Sequence, residues 1–535
     1  MVVTYRTDPK TFNRFVSSRA PETLLMLLTQ STLVRVNRVT GALEPRLATE
    51  WIPSADQLTW TLKLRPDVVF SDGTPFTAAD VVFTFEALYD EQVNSPMASA
   101  FKVNGKPLTV RAENDRTVVL TFPSPYGPGI SILDSLPILP KHKLGAALNA
   151  GTFASAWPVT TAPAEIVGTG PFVLAEYVPG QRLRYTRNAR FWNRDAEGKP
   201  LPRLNEIEVQ IAPEQNAEVL RLQNGDIDLG YDAARAEDLS AFRKLETAGS
   251  IQLFDAGVGL DPDAFWVNLV PNTPRAKDRP WLQREELRRA ISLAVDRQAI
   301  VDTVYLGAGV VINSPITPGY GDWSQSSPPP EHVIARAKAL LASIGLTDHN
   351  RDGMLEDARG KPAKFSILTQ KGNSARERTV AVLQQQLAAI GLTVESVPLD
   401  NKAAIGQWQH GDYDAMYFGV QVDSKDPARN PDLWTSNGSF HAWNPDQKVP
   451  ATPWEKTMDE LFGRETATLD HPGQLRLFAQ VQAIFAEHVP MLYFAAPRVI
   501  IPMSTRVRGA TPSVIQPAVL WNAEVLSIGP VPVKK

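Results

Sequence analysis

The chain has 535 residues, a net charge of −4 and no cysteine. This length is enough to form the hydrophobic cores of about three domains. The slightly negative net charge argues against a nucleic-acid partner, which would need a clustered basic surface. The absence of cysteine excludes disulfides, thiolate catalysis and cysteine-ligated metals, and the longest apolar runs, such as 24–28, are too short to span a bilayer.

Residues 58–90 are expected to be structural scaffold. Residues 58–65 alternate apolar and polar side chains, which is typical of a half-buried strand. Residues 71–73, Ser-Asp-Gly, are a turn signal. Thr77 followed by Asp80 three residues later predicts a capping box at the start of a helix. Each of these residues has a structural task, so we assign no chemistry to them.

Strand and helix patterns then alternate along the chain, which predicts an α/β protein. The order strand, helix, strand over 365–399 predicts a parallel sheet. Gly225 and Gly345 follow helical patterns and are expected to end them. The other predicted strands are 117–122, 183–187, 206–211, 414–421 and 490–501, and the other predicted helices are 22–29, 214–224, 332–345 and 475–488.

Residues 284–305 predict one long amphipathic helix. Its apolar side chains recur at helical spacing and define a single buried face. The boundary between two α/β units is expected just before this helix, near 262–270. The predicted buried face consists of Leu287, Ile291, Ala294 and Val295.

The sequence contains no constellation of residues that would indicate an enzyme. The segment GTGPFV at 168–173 lacks the third glycine of a dinucleotide loop, and Pro171 lies where a helix would begin. There is no nucleophile elbow and no zinc-protease motif, and the seven histidines show no metal-ligand spacing. We therefore predict no catalytic activity, no cofactor and no metal site.

Residues 348–359 begin like a calcium loop. Asp348, Asn350 and Asp352 occupy the first, third and fifth ligand positions, and Gly353 supplies the sharp turn. The twelfth position holds Arg359, where a calcium loop requires a bidentate glutamate. A polar turn between a helix and a strand is the interpretation that this pattern favours.

Several blocks of the sequence resemble one known family. They include LATEWIPSADQLTWTLKLRPDVVFSDGTPFTAADVVFTFEAL at 47–88, NARFWN at 188–193 and ELRRAISLAVDRQAIV at 286–301. GDYDAMYFGVQVDSKDP at 411–427 and VQAIFAEHVPMLYF at 481–494 follow in the same order. Together these blocks resemble the extracellular solute-binding proteins of ABC importers, family 5, which includes peptide-binding and nickel-binding members.

The resemblance implies a two-lobe, periplasmic-binding-protein-like α/β fold of type II, with an extra subdomain in the first lobe. In such a protein, ligand binding shifts the population from open to closed lobes. The implied division is 1–45 for the first part of lobe 1, 46–165 for the auxiliary subdomain, 166–264 for the second part of lobe 1, 265–498 for lobe 2, and 499–535 for the C-terminal return to lobe 1.

The resemblance also implies a function. The ligand would be an oligopeptide or dipeptide that a monomeric binding protein delivers to a membrane permease. A nickel chelate, haem or an oligosaccharide is the alternative ligand, and a ligand-sensing receptor is the alternative role. The first ten residues show no leader pattern; the resemblance nevertheless implies a periplasmic protein or an envelope-anchored lipoprotein, with its leader absent from this chain.

Candidate ligand residues follow from the segment at 417–423. Asp423 matches the aspartate that receives a peptide's α-ammonium; the alternative is a loop aspartate that accepts backbone N–H groups beside Asp426. Gly419, Val420 and Val422 match the strand that pairs with the ligand backbone. Val420 replaces a frequent tryptophan and Tyr417 replaces an arginine of some members, and these departures favour a different subset of ligands.

Two further groups of residues are candidates. Asn13 and Phe15 match a segment of the first lobe that lines the ligand cleft. A group of aromatic residues follows Asp423 and is expected either to fill core or to form a wall of the cleft. This group consists of Trp434, Phe440, His441 and Trp443.

Overall fold

The computed structural model of the protein describes residues 1–230, 232–325, 328–422 and 424–530. The chain divides into two units, Met1–Ala256 with Ile500–Lys535 and Gly257–Val499. The first unit is therefore discontinuous in sequence, since the chain leaves it and later returns. From the sequence, the second lobe was expected to span 265–498. The auxiliary subdomain at 46–165 stays a prediction.

The described residues form both helices and strands. None of these helices combines the length and the hydrophobicity needed to cross a bilayer. The α-helices are α1 (Ala20–Thr29), α2 (Ala78–Tyr89), α3 (Lys141–Asn149), α4 (Gln215–Asn224), α5 (Leu239–Thr247), α6 (Pro274–Asp278), α7 (Glu285–Ala294), α8 (Arg297–Thr303), α9 (Ile334–Ser343), α10 (Ser374–Ala388), α11 (Asn401–Gln409), α12 (Pro431–Trp434), α13 (Pro453–Ala467) and α14 (His471–His488). The strands are β1 (Val2–Tyr5), β2 (Val34–Val36), β3 (Leu43–Pro45), β4 (Ala48–Pro53), β5 (Thr59–Leu64), β6 (Lys102–Val103), β7 (Lys106–Pro107), β8 (Thr109–Asn114), β9 (Thr117–Thr121), β10 (Phe172–Val178), β11 (Arg182–Arg187), β12 (Glu206–Ile211), β13 (Ile251–Val258), β14 (Asp263–Val267), β15 (Gly309–Val311), β16 (Lys364–Gln370), β17 (Thr393–Leu399), β18 (Ala415–Gly419), β19 (Met491–Tyr493), β20 (Ala495–Ser504), β21 (Val507–Arg508) and β22 (Ser527–Ile528).

The first unit contains two four-stranded sheets within its described residues. One has the order β1-β12-β11-β10, with β1 parallel to β12 and the other pairs antiparallel. The other has the order β4-β5-β9-β8 and is antiparallel throughout. Helix α2 packs against β8 and β9 of this second sheet. The apolar positions of 58–65 supply its buried face, with Leu62 and Leu64 buried.

The turn and capping box predicted before α2 are confirmed. Gly73 adopts a φ of +96°, which favours glycine. The Thr77 side chain caps the helix by accepting the Ala79 N–H, and the Asp80 carboxylate accepts the Thr77 N–H at 2.9 Å. Asp80 also accepts the Lys141 N–H at 3.0 Å, which ties α2 to the start of α3. Local chemistry alone therefore sets where this helix begins.

The glycines of the GTGPF segment have a packing role. A Cβ on Gly168 would lie 2.0 Å from the Thr29 carbonyl oxygen, and a Cβ on Gly170 would lie 2.4 Å from the Thr29 carbonyl carbon. The Gly170 N–H donates to that same oxygen at 2.9 Å. The segment thus lies directly against the backbone at the end of α1, where no side chain fits.

The second unit is built on a five-stranded sheet of order β17-β16-β18-β14-β19. Strand β16 is parallel to β17 and β18, which confirms the parallel arrangement predicted over 365–399. Strand β14 lies antiparallel between β18 and β19. The core of this unit joins the sheet to residues of α7, α9 and α10, among them Leu287, Leu341 and Leu383.

The prediction of a single helix over 284–305 is wrong. Helix α7 ends at Ala294, Val295 is extended, and α8 begins at Arg297. Asp296 causes the break, because its side chain accepts the Ala299 N–H at 3.0 Å and so caps a new helix. The apolar face was predicted correctly, and its residues Leu287, Ile291, Ala294 and Val295 are all buried.

Candidate functional site

A small, partly open pocket lies within the second unit. It lies where β18 and β19 end and β14 begins, since Gly419 pairs with Asp263 and Tyr493 pairs with Ala264. The carboxyl ends of strands are where α/β sheets bind ligands. The lining residues are Leu260, Asp261, Pro262, Ala264, Pro315, Tyr320, Phe418, Val420, Val422, Leu433, Met491 and Tyr493.

Most of the residues that line the pocket are apolar. Its polar side chains are Asp261, Tyr320 and Tyr493. Walls of this kind, with a few polar groups among aliphatic and aromatic side chains, are typical of sites for small molecules. The residue types of this lining therefore match those of a small-molecule site.

Gly419 supports the wall of this pocket. A Cβ at this position would lie 2.5 Å from Asp263 Oδ1 and 2.9 Å from Arg376 Nη2. The two side chains form an ion pair at 2.8 Å, and the Arg376 guanidinium also lies 4.0 Å from the centre of the Phe418 ring. Arg376 donates to Gln370 Oε1 at 2.6 Å as well, which holds it in place. Glycine is needed at 419 because this ion pair covers its Cα.

Substitution of Gly419 by alanine is expected to destabilise the protein by about 1 to 3 kcal/mol, because the added methyl group would displace a constrained ion pair. Gly406→Ala in α11 is the control, since nothing lies within 4 Å of its Cβ. That change should be neutral or stabilising by up to about 1 kcal/mol. Chemical denaturation of both variants measures the effect. Equal stabilities would show that Gly419 is not constrained.

The structure brings together two of the residues predicted from the family resemblance. Val420 and Val422 both line the pocket, directly after the last residue of β18. Asp423 lies outside the described residues. The neighbouring Asp426 caps a short 3-10 helix by accepting the Ala428 N–H at 3.0 Å, and burial raises its pKa to about 6.

Tyr417 lies on the other face of the same strand. Its side chain is fully buried and stacks on Phe494, with ring centroids 6.5 Å apart. Successive side chains of a strand point to opposite faces, so Phe418 lines the pocket while Tyr417 belongs to the core cluster. Burial raises the pKa of the Tyr417 hydroxyl well above its ordinary value.

His441 and Trp443 meet at a buried carboxylate. Trp443 Nε1 donates to Glu455 Oε1 at 3.0 Å, and His441 Nε2 lies 3.3 Å from the same oxygen. Burial acts to raise the pKa of Glu455, but the hydrogen bonds from His441 and Trp443 outweigh it and lower the pKa to about 2. These two residues therefore contribute to the support of α13, which Glu455 also caps together with Thr452.

The other two aromatic candidates lie apart from the pocket lining. Trp434 is buried and packs edge-on against Phe478 of α14, with ring centroids 4.9 Å apart. Phe440 is 44% exposed and stacks on Trp408. The pocket is lined instead by Leu433, the residue before Trp434.

Asn13 and Phe15 belong to the first unit. Asn13 is buried, accepts the Phe15 N–H at 3.1 Å and donates to the Phe153 carbonyl oxygen at 3.0 Å. Phe15 is fully buried and packs edge-on against the Phe153 ring. Both side chains make the contacts of scaffold residues in this unit, and their role in ligand binding stays a prediction.

Sequence reasoning missed most of the pocket. Asp261, Tyr320, Met491 and Tyr493 lie in segments that carry no ligand signature of their own. The sequence indicated only that 260–262 precedes one buried strand and that 491–493 forms another. Only the pairing of β19 with β14 shows that these segments meet.

The calcium-like loop places three carboxylates together. Oxygen atoms of Asp348, Asp352 and Glu356 all lie within 4.8 Å of one another. Arg359, at the twelfth position, is engaged elsewhere, since it donates to Asp357 at 2.7 Å and to the Asp278 carbonyl oxygen. The loop thus has part of a cation-binding set but lacks the bidentate ligand that calcium loops use.

Thermal unfolding is expected to give the same midpoint in chelator and in millimolar calcium. Because position 359 holds an arginine and no carboxylate, the loop lacks two of the oxygen ligands that a calcium loop supplies. Differential scanning calorimetry under the two conditions measures this, with magnesium as the control for non-specific charge screening. A calcium-specific rise of several degrees would contradict the prediction.

Comparison with known proteins gives the family. The family described as "Bacterial extracellular solute-binding proteins, family 5 Middle" matches residues 42–442. A Deinococcus radiodurans protein named "Probable ABC transporter-binding protein" is 27% identical over 94% of this chain and 87% of its own length. The periplasmic oligopeptide-binding protein OppA of Haemophilus influenzae is 25% identical over 96% of this chain and 91% of its own length.

Solved structures agree with this match. The oligopeptide-binding protein AppA of Bacillus subtilis, in complex with a nonapeptide, superposes with a TM-score of 0.77 and 25% identity, over 99% of both chains. The chain therefore belongs to family 5 of the bacterial extracellular solute-binding proteins and has their two-lobe, type II periplasmic-binding-protein fold.

Proposed function

We propose that the protein captures peptides for an ABC importer. The family binds solutes outside the cell, OppA is named for oligopeptides, and AppA was solved with a nonapeptide. The relative from Deinococcus is named for an ABC transporter. The family and these relatives are solute-binding transport proteins, so we assign no catalytic role.

One observation carries the peptide proposal. Val420 and Val422 follow β18 into the pocket lining, beyond Gly419, the last residue of this strand that is paired with β14. An extended peptide can pair with the backbone that follows the end of a strand, while its side chains enter neighbouring pockets. We propose that Asp423, which follows this segment, receives the α-ammonium of the ligand.

Direct binding tests this proposal. We expect native mass spectrometry of the purified protein to show bound tripeptides to pentapeptides, and calorimetry to give dissociation constants for them. Nickel-histidine, haem and cello-oligosaccharides form the comparison set, because they represent the alternative ligands. Binding of one of these without any peptide binding would overturn the peptide assignment.

We further propose that the protein works at the cell envelope and delivers its ligand to a membrane permease. The extracellular location of the family supports this. A free periplasmic monomer and a lipid-anchored monomer are both compatible with it. Fractionation of cells, with globomycin treatment to block lipoprotein processing, separates the two forms. Recovery in the cytoplasmic fraction alone would contradict the proposal.

A further inference from the structure

Asp261 is the charged side chain among the residues that line the pocket. It lies between Leu260 and Pro262, all three of which line the pocket, and it is exposed to solvent. Within the described part of the chain, its carboxylate accepts no hydrogen bond from another residue. Its charge is therefore available to a ligand.

The nearest cation of the protein is committed to other groups. Arg376 donates through Nε to Asp263 Oδ1 at 2.9 Å and through Nη1 to Gln370 Oε1 at 2.6 Å. Its guanidinium also lies over the Phe418 ring. Asp263 thus takes the charge of Arg376, and the second carboxylate, Asp261, leaves this end of the pocket with an excess of negative charge.

The apolar surroundings make this charge effective. The pKa of Asp261 is raised to about 6: desolvation in the pocket and the nearby Asp263 carboxylate raise it, while a hydrogen bond to its own backbone and the charge of Arg376 oppose the rise. At neutral pH the carboxylate is mostly ionised. An ionised carboxylate beside apolar walls attracts a cation more strongly than one surrounded by bulk water does, and its hydrogen bonds to charged donors are the stronger kind.

We infer that this pocket selects a basic side chain of the ligand, with Asp261 as the residue that recognises its charge. This inference rests on the proposed peptide function and specifies one side-chain preference within it. A lysine side chain has both required parts: an apolar stem that can lie along Val420, Val422 and Leu433, and an ammonium group that can reach Asp261.

Matched peptides test the inference. Tripeptides of alanine would carry lysine, norleucine or glutamate at each position in turn; norleucine keeps the apolar stem and lacks the ammonium group. At one position we expect lysine to bind about 10- to 100-fold more tightly than norleucine, the range for one charge pair in a partly desolvated site. Glutamate should bind least tightly there.

Asp261→Asn should reduce this preference to less than about 3-fold, because it removes the charge and keeps the size. Asp446→Asn is the matched control, since Asp446 is a surface residue paired with Lys448 at 2.6 Å. The lysine preference of the wild type should also fall between pH 7.5 and about 5, where Asp261 takes up a proton. Asp263, Arg376, Tyr320 and Tyr493 are the other charged or titratable groups at this end of the pocket.

The outcomes separate the two proposals. If no tripeptide binds, the proposed peptide function fails. If peptides bind but lysine and norleucine bind equally at every position, the inference about Asp261 fails while the peptide function stands. This comparison uses the wild type alone and so does not depend on the folding of a variant. A lysine preference that survives unchanged in Asp261→Asn would also overturn it.

Discussion

Asp423→Asn is expected to weaken the binding of free peptides by about 2 to 5 kcal/mol, the cost of removing one partner of a buried charge pair. A peptide α-ammonium has a pKa of about 8 and is mostly charged at neutral pH. Taking that cation out of water is costly unless a carboxylate meets it. Val422, the residue before Asp423, lines the pocket, so the ligand is expected within reach of this position.

Calorimetry on four combinations measures this effect: wild type and Asp423→Asn, each with a free and an N-acetylated peptide. Acetylation should weaken binding to the wild type, and the Asn variant should discriminate less between the two forms. Asp446→Asn serves as the control for loss of a surface carboxylate. If neither acetylation nor the substitution changes the affinity, Asp423 is a loop residue and the ligand is not held by its amine. Acetylation leaves a lysine side chain charged, so this result is independent of the preference assigned to Asp261.

Glu524→Gln is expected to destabilise the first unit by about 3 to 5 kcal/mol, because it would leave a buried arginine without its counter-charge. Glu524 is 3% exposed. Its Oε1 accepts from Arg35 at 2.6 Å and from Arg46 at 2.7 Å. Arg35 keeps a second partner in Glu44 at 2.8 Å, whereas the buried Arg46 loses the only carboxylate with which it forms an ion pair within the described residues.

The same contact predicts a dependence of stability on pH. Burial acts to raise the pKa of Glu524, but Arg46 and Arg35 outweigh it and hold the pKa below its ordinary value of 4.5. The stabilisation is therefore complete above pH 4.5 and is lost as the pH falls through the lower folded value. Glu524→Gln should lack this acid-dependent part.

Urea denaturation between pH 3 and pH 7 measures both effects. Glu44→Gln is the matched control, because Glu44 bonds the same arginine but is 31% exposed. An exposed pair of this kind contributes about 1 kcal/mol or less. Similar losses for the two variants, or a wild type and a Glu524→Gln variant with parallel pH profiles, would contradict the assigned role of Glu524.

Local chemistry in the sequence predicted the ends of several elements. Thr77 and Asp80 form their capping box from neighbouring residues, and Gly225 ends α4 with a left-handed φ of +80°. The break between α7 and α8 was also encoded locally, in the cap that Asp296 supplies. It was missed because the apolar spacing of 284–305 continues through the break and outweighed the weaker capping signal.

The sequence by itself determined the family, the α/β class and the segment at 419–422 that leads into the pocket, because these follow from short-range patterns and from residues in family order. The tertiary structure decided which side chains share a surface. Asp261 and Tyr493 meet since β14 and β19 pair, and Trp443 is core since Glu455, on a later helix, accepts its N–H. The sequence does not distinguish an aromatic or acidic residue that lines a pocket from one that fills a core, because its location depends on contacts with residues that are distant in the chain.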